Sequence, residues 1–353
     1  MKTTMKRFAS VLLAISMIIV FSSSVIAGAV EDIATTDIVE YYIEYDYVNK
    51  TYNRIPIDSI PDYAEMTTNT YELSGMASEL PRLLAINEAL TADTGISTFS
   101  NIDDDGYTFT SPTADPYSGV VLILSRATYT NGSQGTWHSG TGFMVAPDVM
   151  VTAAHNILKY ENGEFASMEV RVYPGYSSVF LPSETDDYIL PLMWTCYDYS
   201  DAMIDTNGDV ADISALRNDW CVMQLQESVS GAYNFACETG VSTSIFTKYY
   251  VSGYPYCTIA NCYTNECNHS PAYIQCRSEG LIRKKDDYMV FFTNNTRTGM
   301  SGGPVYKKSN YVCYAIDTCE YPQLVLGDDY AGYNGGTIIN DKIYNAIAYY
   351  IER

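Results

Sequence analysis

Basic residues are scarce in this chain: 20 Lys and Arg stand against 42 Asp and Glu over 353 residues, a formal net charge of −22. With so little positive charge there is nothing to displace the counterions around phosphate, so nucleic acid is excluded as a partner, and the acidity itself favours solubility. Long hydrophobic runs are almost absent. The exception, Val11–Phe21, follows Lys2, Lys6 and Arg7 and gives way to small residues ending in Val25-Ile26-Ala27. It is too short to span a bilayer and reads as a secretory signal peptide over residues 1–27, with cleavage after Ala27 or Ala29. The remainder is expected to be extracellular and free of the membrane.

The first 195 residues hold no cysteine; all nine follow. That suits export and disulfide formation, and the odd number leaves at least one thiol unpaired. Cys257, Cys262, Cys267 and Cys276 surround His269 but lack the paired two-residue gaps of common zinc sites, so disulfides are the better reading. Asp205-Thr206-Asn207-Gly208-Asp209 has alternating oxygens like a calcium loop, yet Leu216 occupies the position where such a loop needs glutamate. Neither a metal nor a cofactor is expected. The 33 tyrosines form no repeat and read as the surface of a β-rich protein, and no cell-wall anchor is expected.

Only three histidines are present: His138, His155 and His269. That rarity matters because Arg297-Thr298-Gly299-Met300-Ser301-Gly302-Gly303-Pro304-Val305 sets a serine among glycines, a setting for a nucleophile. The backbone can fold tightly there so that the N–H groups of Gly299 and Ser301 form an oxyanion hole. The serine then needs a base, usually a histidine held in one tautomer by a carboxylate. His155 closes two apolar strands and follows Ala153-Ala154, small residues that let an imidazole pack against backbone. Asp219 immediately precedes the apolar run Trp220–Leu225 and is the best acid, with Asp209 and Asp212 nearby as alternatives. The order His155, Asp219, Ser301 is that of the chymotrypsin arrangement.

From about Phe99 to the C-terminus the chain resembles the secreted bacterial glutamyl endopeptidases, chymotrypsin-like (trypsin-like) serine proteases. Thr141-Gly142-Phe143-Met144, Val251-Ser252-Gly253-Tyr254-Pro255, the serine loop and a terminal helix carry the likeness. The resemblance implies His155 as general base, Asp219 as its orienting acid, Ser301 as nucleophile, Gly299 in the oxyanion hole and Thr296 in the substrate pocket. It departs at Asp317, which occupies the place of a histidine that the family uses to recognise a substrate glutamate. A carboxylate there repels glutamate and attracts arginine or lysine, while Arg297 is able to cancel it or to bind an acidic side chain itself. The expectation is a secreted serine endopeptidase, a hydrolase acting on polypeptide, with basic or relaxed preference before the scissile bond. An acidic preference, an esterase with the same triad, and a non-catalytic binding protein on this fold are the alternatives. Met300 differs from the aspartate of animal trypsins, so activation through that ion pair is not expected.

Residues 28–98 carry 13 acids, three bases and no cysteine. They are expected to form a propeptide of a zymogen, with a helical patch over Met76–Leu90, acting on the protease in cis. The family likeness places the mature start near residues 97–101, but no basic residue lies between Arg82 and Arg126. An enzyme cutting only after Arg or Lys could not release itself there. The fold class expected is all-β: a first antiparallel barrel over 99–235, then a second barrel and C-terminal helix over 236–353, working as a monomer. Asn340 should cap that helix, with Ile343, Ile347 and Ile351 packed inward.

Overall fold

The computed structural model describes residues 41–62, 107–129, 132–161, 164–178, 181–197, 216–255, 273–319 and 328–353. The signal peptide, the patch Met76–Leu90, the expected mature start, Asp205–Asp209, Asp212 and the Cys257–His269 cluster lie outside these residues. Among the described residues no helix is long and apolar enough to cross a membrane.

The described chain is mostly β. Its strands are β1 (Tyr41–Asp46), β2 (Thr51–Pro56), β3 (Tyr107–Phe109), β4 (Val120–Thr128), β5 (His138–Ala146), β6 (Val149–Thr152), β7 (Tyr160–Glu161), β8 (Glu164–Phe165), β9 (Ser167–Pro174), β10 (Pro191–Tyr197) and β11 (Cys221–Leu225). There follow β12 (Tyr249–Gly253), β13 (Cys276–Gly280), β14 (Ile282–Lys285), β15 (Met289–Phe292), β16 (Pro304–Lys307), β17 (Cys313–Cys319), β18 (Asn334–Ile338) and the helix α1 (Asp341–Glu352). They make two curled eight-stranded antiparallel sheets, in the orders β2-β1-β10-β11-β6-β5-β4-β9 and β14-β15-β18-β17-β16-β12-β13-β3, with β7 and β8 as a small separate pair.

In the first sheet Val172 of β9 exchanges backbone bonds of 2.9 and 2.8 Å with Ile189, just ahead of β10, so the β9 edge curls round to the start of β10. Residues 41–62, expected in the propeptide, supply β1 and β2 to this sheet. In the other direction β3, which lies before the first-barrel strands in the chain, pairs with β13 of the second sheet. Strand β13 begins only at Cys276. Tyr273 has φ +62° and so turns the chain rather than extending it.

Many of the described tyrosines are core material rather than surface, although Tyr188 and Tyr288 stand exposed. Tyr45, Tyr254 and Tyr306 have no exposed area, and Tyr42, Tyr107, Tyr173, Tyr249 and Tyr350 are about as deeply buried. Such rings bury a large apolar body while the hydroxyl finds a partner, as Tyr306 does with Ser252 at 2.7 Å and Tyr350 with Thr195 at 2.7 Å. In α1 the Asn340 side chain accepts from the Ile343 N–H, as a cap should. Ile343 and Ile347 are buried, but Ile351 is 36% exposed because Ala346 and Tyr350 complete the inner face instead.

Candidate active site

Strand register brings two of the expected residues together. β6 pairs antiparallel with β11, Thr152 opposite Cys221. The residues that follow β6 therefore face those that precede β11. His155 sits in a single 3-10 turn, Ala154–Asn156, and Ala153 and Ala154 before it are completely buried. Asp219 is 2% exposed and takes both of its hydrogen bonds from this histidine. Its Oδ1 accepts from the His155 backbone N–H at 2.9 Å, and its Oδ2 lies 2.6 Å from Nδ1.

The imidazole is 35% exposed on its other side. Burial works against its charged form, but the Asp219 carboxylate, by its charge and by the hydrogen bond, more than offsets this and holds the pKa above the ordinary histidine value. His138, by contrast, stands at the exposed start of β5.

The serine loop joins β15 to β16. Met300 N–H donates to the Arg297 carbonyl at 2.8 Å and Gly303 N–H to the Met300 carbonyl at 2.9 Å, which curls the loop. Gly302 N–H donates to the Asp317 carbonyl at 2.6 Å, and Asp317 N–H returns a bond to the Gly303 carbonyl at 2.9 Å, fixing the loop to β17. The N–H groups of Gly299 and Ser301 have no acceptor among the described residues, which leaves two backbone donors of the kind an oxyanion hole needs.

The first barrel grips this loop of the second. Ser301 carbonyl accepts from Thr141 N–H at 2.9 Å and from Asn156 Nδ2 at 2.7 Å, while Thr141 Oγ1 donates to the Gly299 carbonyl at 2.7 Å. Thr141 Oγ1 also accepts from Tyr254 N–H at 3.0 Å, so the threonine motif and the Gly-Tyr-Pro motif meet at the serine loop. Contact is close enough that a Cβ on Gly302, at φ +89°, would lie 2.0 Å from the Thr141 carbonyl oxygen. Thr141 and Asn156 were not singled out as site residues from sequence. The signal for Asn156 was its place beside His155 with a short polar side chain.

The three pocket candidates are all described. Thr296 and Asp317 are buried at 5% and 3%. Arg297 is part-exposed, its guanidinium 5.7 Å from the Tyr107 ring centre. Cys221, two residues beyond Asp219, is a buried free thiol opposite Cys196 across the β10 and β11 pair. Among the described residues no three His, Cys, Asp or Glu side chains gather as metal ligands.

No family model matches the sequence. A glutamyl endopeptidase of Bacillus licheniformis is 26% identical over 252 residues, 69% of this chain and 66% of that protein. A Bacillus subtilis protein named as an extracellular metalloprotease is 24% identical over 250 residues, 71% of this chain and 69% of that one. The match thus spans just under two thirds of the first relative. A solved structure of a Glu endopeptidase in complex with MPD superposes with a TM-score of 0.50 at 17% identity, over 71% of this chain and 98% of that one. The chain has a trypsin-like fold and is similar in sequence to a glutamyl endopeptidase. Within this fold Asp219 bonds the His155 turn, and Asn156 of that turn donates to the Ser301 carbonyl, so the turn touches both the Asp219 strand start and the Ser301 loop.

Proposed function

We propose that the protein is a secreted serine endopeptidase. The Ser301 hydroxyl attacks a peptide carbonyl as its proton passes to Nε2 of His155. Asp219 holds the Nδ1–H and stabilises the imidazolium that forms. The N–H groups of Gly299 and Ser301 take the developing oxyanion, the amine leaves with the proton from His155, and water then hydrolyses the acyl-enzyme. The observation that carries this reading is the double contact of Asp219 with His155, which supports an imidazole with its Nδ1–H turned to the carboxylate and Nε2 left to take the serine proton.

For specificity the better-supported reading is an acidic residue before the scissile bond, the alternative to the basic or relaxed preference expected from Asp317. The Bacillus licheniformis relative is named for glutamyl cleavage, and Arg297, next to the pocket threonine, offers a fork of donors that suits a carboxylate. Acidic preference also puts cleavable bonds on either side of the expected mature start, after Asp93 and after Asp103, although residues 96–100 themselves hold no acid. Glu88, Asp93 and Asp103-Asp104-Asp105 lie in the stretch between Arg82 and Arg126 that has no basic residue. The second reading, basic preference, rests on the buried Asp317 carboxylate on the strand bonded to the serine loop.

The test is cleavage of a peptide library carrying every residue type before the bond, by the purified mature enzyme and by Ser301→Ala. Cuts after Glu or Asp that vanish in the variant are expected. Cuts after Arg or Lys establish the second reading, and no cleavage by either protein returns the chain to a binding role.

A further inference from the structure

The hairpin of β1 and β2 lies in the acid-rich stretch expected to be discarded, yet its side chains are built into the first barrel on both faces. Along β1 the pairing runs Tyr42 to Tyr197, Ile43 to Cys196, Glu44 to Thr195, Tyr45 to Trp194 and Asp46 to Met193 of β10. Ile43 and Tyr45 enter the core shared by Val121, Ile123, Met144 and Met150. On the opposite face Tyr42 packs edge-on against Trp220, ring centres 5.6 Å apart, and Trp220 directly follows Asp219.

The hairpin also lies across the seam between β10 and β9, where Val172 of β9 bridges to Ile189 just ahead of β10. Tyr45 OH lies 3.3 Å from Ser167 Oγ, Tyr52 OH donates to the Ala166 carbonyl at 2.9 Å, and Tyr47 OH accepts from Val170 N–H at 3.3 Å. The Tyr45 ring lies 4.3 Å from Trp194, and Tyr52 stacks on Phe165 at 5.0 Å. The terminal helix holds the far side: Asn345 Nδ2 donates to Asp62 at 3.1 Å, and Arg353 pairs with Glu44 at 3.5 Å.

A segment bound this way, by a strand ladder plus five buried large side chains, Tyr42, Ile43, Tyr45, Tyr47 and Ile60, has the character of an interior and not of a detachable cover. Its removal would strip the β10 edge and expose Trp194 and Trp220 to water. We infer that residues 41–62 are a permanent part of the folded enzyme: a maturation cut between Asp62 and Tyr107 leaves the hairpin seated in the seam as a non-covalent light chain. Because Tyr42 abuts Trp220, the same hairpin steadies the strand start that presents Asp219 to His155.

Two measurements decide this, and both read mass, so they stand apart from the question of catalysis. The secreted, folded protein is isolated by native size-exclusion chromatography, dissolved in denaturant and weighed intact. Residues 41–62 should be present at one per protease body, on the same chain or as a separate peptide. A folded body that lacks them overturns the inference. Second, a recognition site for a sequence-specific protease is inserted between Asp62 and Tyr107 of the full chain, and the purified protein is cut. The hairpin should co-elute with the body in native buffer and separate only in denaturant; release in native buffer with the body still folded overturns the inference.

Discussion

Replacing Asp219 by asparagine should cost about a thousand- to ten-thousand-fold in kcat/KM, and the reason lies in which oxygen faces which donor. Oδ1 accepts from the His155 backbone N–H and Oδ2 faces Nδ1. Asparagine has one acceptor oxygen and one donor NH2. The backbone N–H can only donate, so the amide oxygen must stay with it. The reverse orientation sets two donors against each other in a site where an unsatisfied buried polar group costs ~1–3 kcal/mol. The NH2 then falls where Oδ2 was and donates to Nδ1, which drives the ring proton to Nε2. In that tautomer the imidazole cannot accept the serine proton. Loss of the correct tautomer in a triad of this kind is worth about 10⁴ in turnover, equivalent to ~5 kcal/mol of barrier. The assay is kcat/KM at neutral pH on a peptide with glutamate before the bond, with thermal unfolding alongside to show that Asp219→Asn still folds. Activity within tenfold of the parent would refute the tautomer argument.

The pH profile should rise with a midpoint above the ordinary histidine pKa of ~6.5, since Asp219 favours imidazolium in the free enzyme; a midpoint at or below that value contradicts the pairing. The same pair should support the fold fully below the unfolded histidine pKa and lose its contribution as pH rises through the higher folded value. Unfolding of His155→Gln against pH should lack that slope. Gly302→Ala combines a left-handed backbone, ~1–3 kcal/mol, with overpacking of ~1–3 kcal/mol against Thr141, Thr152 and Asn156. Gly231→Ala, at φ +73° with open space around it, should carry the backbone part alone. The first variant should therefore melt well below the second, and equal melting temperatures would show that the serine loop is not clamped by the first barrel. Asn156→Ala removes bonds of 2.7 Å to the Ser301 carbonyl and 3.0 Å to Thr152 Oγ1, ~1 kcal/mol each. It should lower kcat with KM nearly unchanged, and a KM effect alone would place Asn156 outside the serine loop's support.

What could be read in advance, and what could not, divides along the range of the forces involved. The serine loop was legible because local backbone dictates it. Gly302 has φ +89° and no room for a Cβ, a demand that writes itself into sequence as glycine. His155 stood out because two completely buried alanines precede it, and Asp219 because an acid was placed at the mouth of an apolar strand. The hairpin was illegible for the opposite reason. Tyr41-Tyr42-Ile43-Glu44-Tyr45-Asp46 lies in acid-rich surroundings, and its value comes only from long-range partners such as Trp194, Trp220 and Ser167. Composition reads charge but not which face of an alternating strand is covered. Here β1 covers Tyr42 on one face and Ile43 and Tyr45 in another part of the core, while Glu44 finds Arg353 at the far end of the chain. Thr141 and Asn156 were hidden in the same way, since a buried polar side chain acquires its meaning only when another barrel brings it an unpaired carbonyl. The local chemistry of the nucleophile was thus readable residue by residue, whereas the supports that hold two barrels to one serine exist only after the chain has closed on itself.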